Sequence, residues 1–453
     1  MDSPCVALVS TWAASGLAVR CQEFKARIRA GRTRLGPPCH SFHGELAPRC
    51  CSLSNTSCLA GRQPVDKPEA CVPFSAFSKK FVRLQASRRG VVDPVLMAAN
   101  SEGTCLAVVG DVHGFWNDAD ELAVKFLMEH SGVDLTLFIG DIGNNANIAL
   151  VSKIAKLIFP KAVVLGNHDA WPPKSVPIFS REQNSQNHIV PQLRVLGEAH
   201  VGFSSMRVAN KPVTVVGARP FTEGGVHVYN MSQFYNELYG METVDEYTKK
   251  VSDLMISAPP DDAIVVMGHN GPSGLGSRRW DICGIDWKQE EGDHGDPDLR
   301  AAIDRSAQQG RRPALVTFGH MHEKLSRRVG RSEKRRRVVV EGPHQETVHL
   351  NAAVVPRIRP LGGSGHPAHH FCVVRIERGR VVTAEDVWVE IAQERRPPCR
   401  VVHTQRLCQW MEGPCDGEGS GEEGQGHYAV YDTHGGGWTD VEEEVGRKVT
   451  KAA

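Results

Sequence analysis

The chain of 453 residues contains no apolar run that could span a bilayer, because a transmembrane helix needs about 20 consecutive, mostly apolar residues. We therefore expect no membrane partner. None of its 13 cysteines forms a C-x-x-C pair, and seven of them lie before residue 100, where no packed element is apparent. Neither a zinc–thiolate site nor a disulfide framework is indicated, and the cysteine pattern favours a reducing compartment.

An excess of charge of one sign is also missing, since 53 Lys+Arg face 52 Asp+Glu. Residues 1–100 hold 14 of the bases and 6 of the acids, so the rest of the chain holds 39 and 46 and carries a net charge of −7. An acidic body does not support broad coating of nucleic acid, which requires many phosphate contacts from Lys and Arg. We expect no nucleic-acid partner.

Residues 1–100 are rich in Ser, Arg, Ala, Pro and Cys and poor in acids. This composition is typical of an organelle transit peptide. A secretory signal over residues 6–19 and a disordered extension are the alternatives, although Asp2 and no cation precede that apolar stretch. We predict a leader at 1–100, a catalytic body at 101–392, and an acidic, Gly-rich, largely disordered tail at 393–453.

Five short apolar runs end in glycine followed by Asp, Asn or His. Runs of this kind are typical of strands buried on both faces, and glycine allows the chain to turn sharply after the strand. In open α/β folds the carboxyl ends of the strands carry the functional site. We therefore expect the following side chains to converge at one sheet edge: Asp111, Asp141, Asn167, His269 and His320, with His113 and His322 just beyond the first and last.

The segments between the first three runs have apolar residues at helical spacing, over residues 118–130 and 147–158. Strand, helix, strand, helix, strand predicts a βαβαβ unit with parallel strands. Further along, the pattern predicts a strand at 213–216 and an amphipathic helix at 244–256. A hairpin of 371–376 with 381–391 follows, and such a pair can complete a second sheet.

Asp, Asn and His side chains favour a borderline-hard divalent cation such as Mn²⁺, Fe²⁺ or Zn²⁺. Seven candidate ligands are too many for one tetrahedral ion and enough for two ions that share a carboxylate. Two cations about 3.5–4 Å apart with a hydroxide between them would suit in-line attack on a phosphoryl group.

The blocks GDVHG, GDIGN, GNHD, GHNG and GHMH, in this order over residues 106–322, resemble the signature of calcineurin-like metallophosphoesterases. The resemblance implies an α/β sandwich built on βαβαβ, with two mixed sheets flanked by helices and the active site at the C-terminal edges of the strands. By position it implies one metal held by Asp111, His113 and His322. It implies a second metal held by Asn167, His269 and His320, with Asp141 bridging and His168 as the general acid.

Two motif differences from other branches of the metallophosphoesterases narrow the range of expected activities. GDIGNNA stands where protein Ser/Thr phosphatases have GDxxDRG, so protein phosphatase activity is not expected. Asn144 stands where purple acid phosphatases have a tyrosine ligand, so we expect no charge-transfer colour. Longer stretches such as VVGARPF (215–221) and LNAAVVPR (350–357) resemble cyanobacterial and plastid metallophosphoesterases of unassigned substrate. Together with the leader, this resemblance predicts the plastid stroma, with the mitochondrion as the alternative.

Several other side chains admit two interpretations. Four arginines are candidates for phosphate binding or for surface and structural roles: Arg219, Arg278, Arg279 and Arg357. Asp293, Asp296 and Asp298 suit either the orientation of His168 or a turn before a helix, and Trp280 and Trp287 suit base stacking or local packing. We interpret the basic run 327–337 as a solvated loop between strands and the cluster His366, His369 and His370 as a loop.

The sequence thus predicts a metal-dependent hydrolase of a small phosphorylated substrate, with in-line attack by a metal-bridging hydroxide. A metal-dependent nuclease and a non-catalytic scaffold of the same fold are the alternatives. Filled ligand positions favour an enzyme over a scaffold, and the acidic body disfavours the nuclease. Substrate identity, the metal pair and the oligomeric state stay open.

Overall fold

The computed structural model describes residues 103–172, 186–326, 333–342, 344, 346–361, 364–392, 398–412 and 426–440. The predicted leader and most of the Gly- and Glu-rich part of the predicted tail lie outside these ranges. No helix within them is long and apolar enough to cross a bilayer.

The helices of the described ranges are α1 (Asp118–Ser131), α2 (Ile148–Ala155), α3 (Asn167–Ala170), α4 (Gln186–Leu196), α5 (Ser232–Tyr239), α6 (Val244–Ile256) and α7 (Pro297–Gln308), with 3₁₀ turns at Gly197–Ala199 and Gly225–Asn230. The strands are β1 (Thr104–Val109), β2 (Leu135–Phe138), β3 (Lys161–Val163), β4 (Ser205–Arg207), β5 (Val213–Gly217), β6 (Ala263–Met267), β7 (Leu315–Phe318), β8 (Val338–Glu341), β9 (Thr347–Asn351), β10 (Ile358–Pro360), β11 (Pro367–Glu377), β12 (Arg380–Ile391), β13 (Cys399–Met411), β14 (His427–Asp432) and β15 (Gly437–Asp440).

These strands form two mixed sheets. The first has the order β15-β14-β13-β12-β11-β1-β2-β3, with β10 on β11, and β1, β2 and β3 are parallel. The second has the order β4-β5-β6-β7-β9-β8, with parallel β5, β6, β7 and β9 between antiparallel edges. The predicted βαβαβ start and the α/β fold with two mixed sheets flanked by helices are confirmed.

The core has a helix–sheet–sheet–helix order that explains the continuous apolar runs. In β1, Leu106 and Val108 pack into the cluster between the sheets, which also contains Val265 of β6. Val109 belongs instead to the cluster that packs on α1 and α2. On the far side, Val266 packs with residues of α6 and α7. Both faces of the central strands of both sheets are therefore buried, as the apolar runs require.

The helix ends follow from local sequence. Asn117 caps α1 in a reciprocal capping box with Asp120, and Gly132 ends that helix in the left-handed region with φ 68°. Thr243 and Glu246 form the same box at the start of α6. These caps satisfy backbone amides that otherwise have no partner in the first turn.

The hairpin β11–β12 joins the first sheet rather than completing a second one. β11 pairs antiparallel with β1, with Thr104 opposite Ile376, and so covers the edge of β1 that β2 leaves free. A strand pattern alone does not specify its neighbour, so sequence periodicity had no means of choosing between the sheets.

The first sheet also extends beyond Ala392, in contrast to the predicted largely disordered tail. β13 pairs with β12 along most of its length, and β14 and β15 follow in antiparallel order. Leu407, Cys408 and Tyr428 are buried in the core between the sheets. Charged and half-exposed residues alternate irregularly in β13, so its strand character depends on the pairing with β12 rather than on its own pattern.

Two loop interpretations hold only in part. Residues 333–337 and His366 lie outside the named strands, but four of the side chains concerned are buried or belong to a strand. Residues 327–332 of the basic run lie outside the described ranges, but Arg335 and Arg337 are 1% and 0% exposed. Arg337 donates to Asp386 at 2.6 Å and to the carbonyl of Asn351 at 2.7 Å, which links β12 to β9 across the two sheets. His369 and His370 lie on β11, where they are buried and pair with Asp120 at 2.7 Å and Asp386 at 2.8 Å.

Candidate metal centre

The predicted ligands all lie just past the carboxyl ends of five strands. Asp111, Asp141 and Asn167 follow β1, β2 and β3 of the first sheet, and His269 and His320 follow β6 and β7 of the second. Because parallel strands of both sheets end on the same side of the sandwich, residues far apart in sequence meet there.

One group of side chains consists of Asp111, His113 and His322. The Nε2 atoms of the two histidines lie 3.1 Å apart. Asp111 Oδ2 lies 3.2 Å from His322 Nε2 and 3.9 Å from His113 Nε2. All three ligand atoms thus surround one small volume.

A second group consists of Asn167, His269, His320 and Asp141. His269 Nε2 lies 2.9 Å from Asn167 Oδ1 and 3.3 Å from Asp141 Oδ1. The ligand atoms of Asp141, His269 and His320 lie within 4.8 Å of one another. The other oxygen of Asp141, Oδ2, is 3.9 Å from His113 Nε2, so this carboxylate lies between the two groups.

Four of these residues have a backbone conformation that L-amino acids avoid. Asp111, His113, Asp141 and His320 have φ values of 27°, 48°, 48° and 63°. A left-handed conformation costs a non-glycine residue roughly 1–2 kcal/mol. Strain of this kind persists where the surrounding structure imposes it, and it is common at functional sites.

The glycines before the ligands are required by space. A Cβ on Gly166 would lie 2.3 Å from Asp141 Oδ1 and 2.7 Å from His269 Cε1. A Cβ on Gly319 would lie 2.2 Å from Asp111 Oδ1. The turns that deliver the ligands therefore pass so close to neighbouring ligands that no side chain fits.

Burial and mutual charge set the protonation of the group. Burial raises the pKa of Asp141, and the Asp111 and Asp169 carboxylates raise it further. Burial also raises the pKa of Asp111, but His322 at 3.2 Å, with the charges of His269 and His113, outweighs it and leaves the pKa below its usual value. Burial lowers the pKa of His113 to about 4 and also lowers the pKa of His269. His113 and His269 are therefore neutral near pH 7, which is the form that binds metals.

This donor set fits divalent cations. Asp111 Oδ2 is buried without a hydrogen-bond partner among the described residues, and an orphaned carboxylate oxygen is costly unless a cation accompanies it. His269 donates from Nδ1 to the Ile139 carbonyl at 3.0 Å, which leaves the lone pair of Nε2 facing Asn167 and Asp141. Carboxylates, an amide oxygen and neutral imidazoles suit Mn²⁺, Fe²⁺ or Zn²⁺.

His168, the predicted general acid, lies beside both groups. Its backbone N–H donates to Asp141 Oδ1 at 3.0 Å, and its Nε2 lies 3.9 Å from Asp141 Oδ2. Burial lowers the pKa of His168, whereas the Asn144 backbone carbonyl raises it. The ring of Trp171 stacks on His168 with centroids 3.8 Å apart. The indole thus covers one face of the His168 ring.

Sequence reasoning missed three residues that support the site. The fully buried Asp169 accepts hydrogen bonds from the N–H groups of Ile142, Gly143 and Gly166, at 3.2, 3.0 and 2.9 Å. It joins the loops after β2 and β3, and its position in GNHD was the only available signal.

The other two missed residues are Trp171 and Arg335. Arg335 donates to the carbonyl of His322 at 3.2 Å and to that of Gly284 at 2.7 Å, so a buried cation fixes the backbone of one ligand. It occurs in a basic run that reads as solvated, and nothing in the run distinguishes it from its neighbours.

The arginines considered for phosphate binding have carboxylate partners instead, with one exception. Arg219 pairs with Asp296 and Asp298, both at 2.8 Å, and Arg357 pairs with Asp120 at 2.6 Å, all within the core. Arg279 pairs with Glu291 at 2.7 Å, whereas the exposed Arg278 lies over the ring of Trp280. The buried ion pairs of Arg219 and Arg357 are structural, so these two arginines do not face a substrate phosphate, whereas the pair of Arg279 with Glu291 is half exposed.

The acidic and aromatic candidates have structural partners as well. Asp296 precedes α7 as its N-cap, and Asp293 accepts from the amides of Gly274 and Gly295. Trp280 stacks on His434, and Trp287 contacts His294 edge to face at 4.8 Å. The turn-and-helix and local-packing interpretations therefore hold for these residues.

Comparison with known proteins yields one family match. Residues 106–324 match the model of the calcineurin-like phosphoesterase family, which is slightly less than half of the chain. No curated protein sequence matches the chain significantly.

Solved structures give distant likenesses only. GAP50, the anchor in the inner membrane complex of Plasmodium, has 13% identity over 67% of this chain and 88% of its own, with a TM-score of 0.35. A purple acid phosphatase from yellow lupin (Lupinus luteus) seeds has 11% identity over 68% and 54%, with a TM-score of 0.37. Phosphopantetheinyl hydrolase from Mycobacterium tuberculosis has 13% identity over 56% and 90%, with a TM-score of 0.31. Likenesses this weak indicate no substrate.

The family match falls on the five strands that bring the candidate ligands together, and it ends two residues after His322. Over residues 106–324 the chain is therefore similar to the calcineurin-like phosphoesterases.

Proposed function

We propose that this protein hydrolyses a small phosphoester with the help of two divalent cations. The observation that carries the proposal is the position of Asp141. One of its oxygens lies 3.3 Å from His269 and the other 3.9 Å from His113. A carboxylate that reaches both ligand groups is what a shared, bridging ligand requires.

The candidate ligands fall into two groups, one for each cation. Asp111, His113 and His322 would hold one cation, and Asn167, His269 and His320 the other, with Asp141 common to both. When bound, two such cations stabilise charge on the phosphoryl oxygens and lower the pKa of a bound water. Asn167 contributes no charge, which keeps the site cationic enough to attract a phosphate dianion.

His168 would donate a proton to the leaving oxygen. Its Nε2 faces the ligand groups while its ring is held by Trp171, so the proton is presented toward the substrate position. A general acid contributes typically 10²–10⁴-fold in rate. That contribution should be needed most when the leaving alkoxide is a strong base.

Removal and restoration of metal test the first part of the proposal. Apo-protein prepared with a chelator should hydrolyse neither p-nitrophenyl phosphate nor its diester, and Mn²⁺, Fe²⁺ or Zn²⁺ should restore one of these activities. Asp141→Asn should bind less metal by elemental analysis and lose at least about 100-fold in kcat/KM. A correctly folded Asp141→Asn protein with wild-type turnover would refute the bridging role.

The same preparations distinguish the alternatives. A scaffold would remain inactive with every metal while keeping its fold. A nuclease would cleave single-stranded DNA or RNA faster than it hydrolyses the small esters.

A leaving-group series tests His168. His168→Asn should lower kcat strongly for an alkyl phosphate and only weakly for p-nitrophenyl phosphate, whose leaving group needs no proton. Equal losses on both substrates would assign His168 to metal or substrate placement instead.

We also propose the plastid stroma as the location, supported by the leader's composition and by the resemblance to plastid proteins. A fluorescent fusion of residues 1–100 should enter plastids. Import into mitochondria, or retention in the cytosol, would contradict the assignment.

A further inference from the structure

Trp171 combines contact with the proposed general acid and access to solvent. It follows the single-turn helix α3, which begins at the ligand Asn167, and its ring stacks on His168 at 3.8 Å with a 28° tilt. Yet 38% of Trp171 is exposed. An indole that leaves this much surface in water beside a reactive group has room for a second planar partner.

The indole is held in place before any ligand arrives. The carbonyl of Trp171 accepts from the amide of Ala146 at 2.9 Å, and the carbonyl of Pro172 accepts from Asn145 Nδ2 at 3.0 Å. Indole Nε1 lies 3.5 Å from Glu223 Oε1. The backbone of Glu223 is itself fixed, because its carbonyl accepts from His294 Nε2 at 2.6 Å.

Resting on the function proposed above, we propose that Trp171 is a stacking platform for an aromatic ring in the leaving group, and that the substrates are nucleotides. Aromatic rings stack with centroids about 4.5–7 Å apart. A ring on the outer side of Trp171 would therefore lie about 8–11 Å from the centroid of His168, given the 3.8 Å spacing of the first pair.

That distance selects the class of substrate. His168 Nε2 must reach the leaving oxygen, so a spacer has to join this oxygen to the stacked ring. A simple aryl phosphate has no spacer, whereas a nucleotide has a sugar between its ester oxygen and its base. Adenosine 5′-phosphate and ribose 5-phosphate share the same leaving oxygen and differ only in the base, which makes them a matched pair.

The experiment compares kcat/KM for this pair in the metal-loaded full chain. Stacking of one base on an aromatic side chain is sequence-tolerant and corresponds to roughly a 5–150-fold preference. We expect the wild type to prefer the nucleotide in this range. Trp171→Ala should bring the ratio of the two kcat/KM values down to about one, whatever loss both esters share through His168, whereas Trp171→Phe should keep most of the preference.

The control is Trp438→Ala, because Trp438 is also exposed (51%) but lies on β15, separated from β1 by four strands of the sheet. It should change neither value. If Trp171→Ala impairs folding, Trp171→Leu preserves apolar bulk without an aromatic face and should give the same loss of preference.

Calorimetric titration with adenosine separates this inference from the proposed function, since it needs no turnover. Saturable adenosine binding that disappears in Trp171→Ala and is absent for ribose would support the platform even if hydrolysis failed. Hydrolysis of both esters at equal rates, without adenosine binding, would overturn the platform and leave the hydrolase intact. Equal losses on both esters in Trp171→Ala would also overturn it and would reduce Trp171 to a support for His168.

Discussion

At the scale of single residues, the candidate metal centre depends on glycines at positions where no side chain fits. A Cβ on Gly166 or Gly319 would lie 2.3 or 2.2 Å from a carboxylate oxygen of Asp141 or Asp111, so the backbone itself forms the wall of the site. The candidate ligands Asp111 and Asp141 in turn have positive φ values of 27° and 48°. The lack of space at the glycines and the backbone strain at the ligands both accompany dense packing around the site.

Gly166→Ala should therefore disable the centre through sterics. Its Cβ would collide with Asp141 and His269, so we expect a loss of about 1–3 kcal/mol in unfolding free energy from overpacking. We also expect at least a 100-fold fall in kcat/KM, because ligand placement within about 1 Å matters. Urea unfolding and phosphoester hydrolysis measure the two effects.

Gly310→Ala is the matched control, since Gly310 has φ 71° but no atom within 4 Å of its added Cβ. It should lose about 1 kcal/mol from backbone strain and keep full activity. Wild-type activity in Gly166→Ala would show that the neighbouring ligands can move aside.

Asp169 is a single residue that connects the loops after β2 and β3 by hydrogen bonds. Asp169→Asn would replace one accepting oxygen by an NH₂ group that faces backbone donors, so we expect a loss of about 1–3 kcal/mol and a fall in kcat. Asp118→Asn, which changes a surface carboxylate paired with Lys153, should alter neither quantity. Circular dichroism melts and kinetics check both variants, and an unchanged Asp169→Asn enzyme would contradict the bracing role.

At the scale of elements, buried charged side chains connect strands of the two sheets. Sequence periodicity predicts these strands one by one and not their contacts. Arg337, which directly precedes β8, bonds to Asp386 of β12 and to the carbonyl of Asn351 on β9. His370 of β11 joins the same carboxylate. Three strands of two sheets thus depend on one ion pair.

The free energy of unfolding should depend on pH through the carboxyl group of Asp386. Burial raises the pKa of Asp386, but Arg337 and His370 outweigh it and hold the pKa below its usual value. A depressed folded-state pKa means that the stabilisation is complete above the unfolded value near 4 and disappears as the pH falls through the lower folded value. Asp386→Asn should cost about 3–5 kcal/mol at pH 7, and its deficit relative to the wild type should shrink between pH 5 and 2.5.

A double variant provides the control for the ion pair. Arg337→Met with Asp386→Leu leaves no buried charge unpaired, so it should be more stable than Asp386→Asn alone. A deficit in Asp386→Asn that stays constant with pH would contradict the assigned direction of the pKa. Denaturant titration at several pH values gives the required free energies.

At the scale of the whole molecule, the first sheet does not end with the family match. β13 covers the edge of β12, and Leu407 and Tyr428 fill the core between the sheets. The candidate ligands and His168 all lie before this addition, yet the sandwich that orients them includes it.

A chain ending after Ala392 should therefore be less stable than one ending after Asp440. Loss of Leu407 and Tyr428 alone removes about 3 kcal/mol of apolar burial, at roughly 1.5 kcal/mol or more for each side chain. The uncovered edge of β12 should also promote aggregation. Unfolding free energy and light scattering of the two proteins test this, and equal stability would show that β13–β15 are dispensable.

The sequence predicted more of the site than of its surroundings. The candidate ligands could be identified because five of them follow an apolar run and a glycine, with His113 and His322 just beyond, and such a strand end is a local feature. The general-acid position of His168 came only from the resemblance. Asp169, Trp171 and Arg335 were not identified, because their roles arise from contacts with loops distant in sequence.

What the sequence determined alone is the set of buried strands, the capped helices and the polar residues at their ends, because periodicity and capping act within a few residues of chain. Tertiary structure alone decided that β11–β12 lie beside β1, that β13–β15 extend the sheet, and that Arg335 and Arg337 are buried. Strand neighbours and buried charges depend on partners many residues away, and the free energy that selects them comes from closing the two-sheet core.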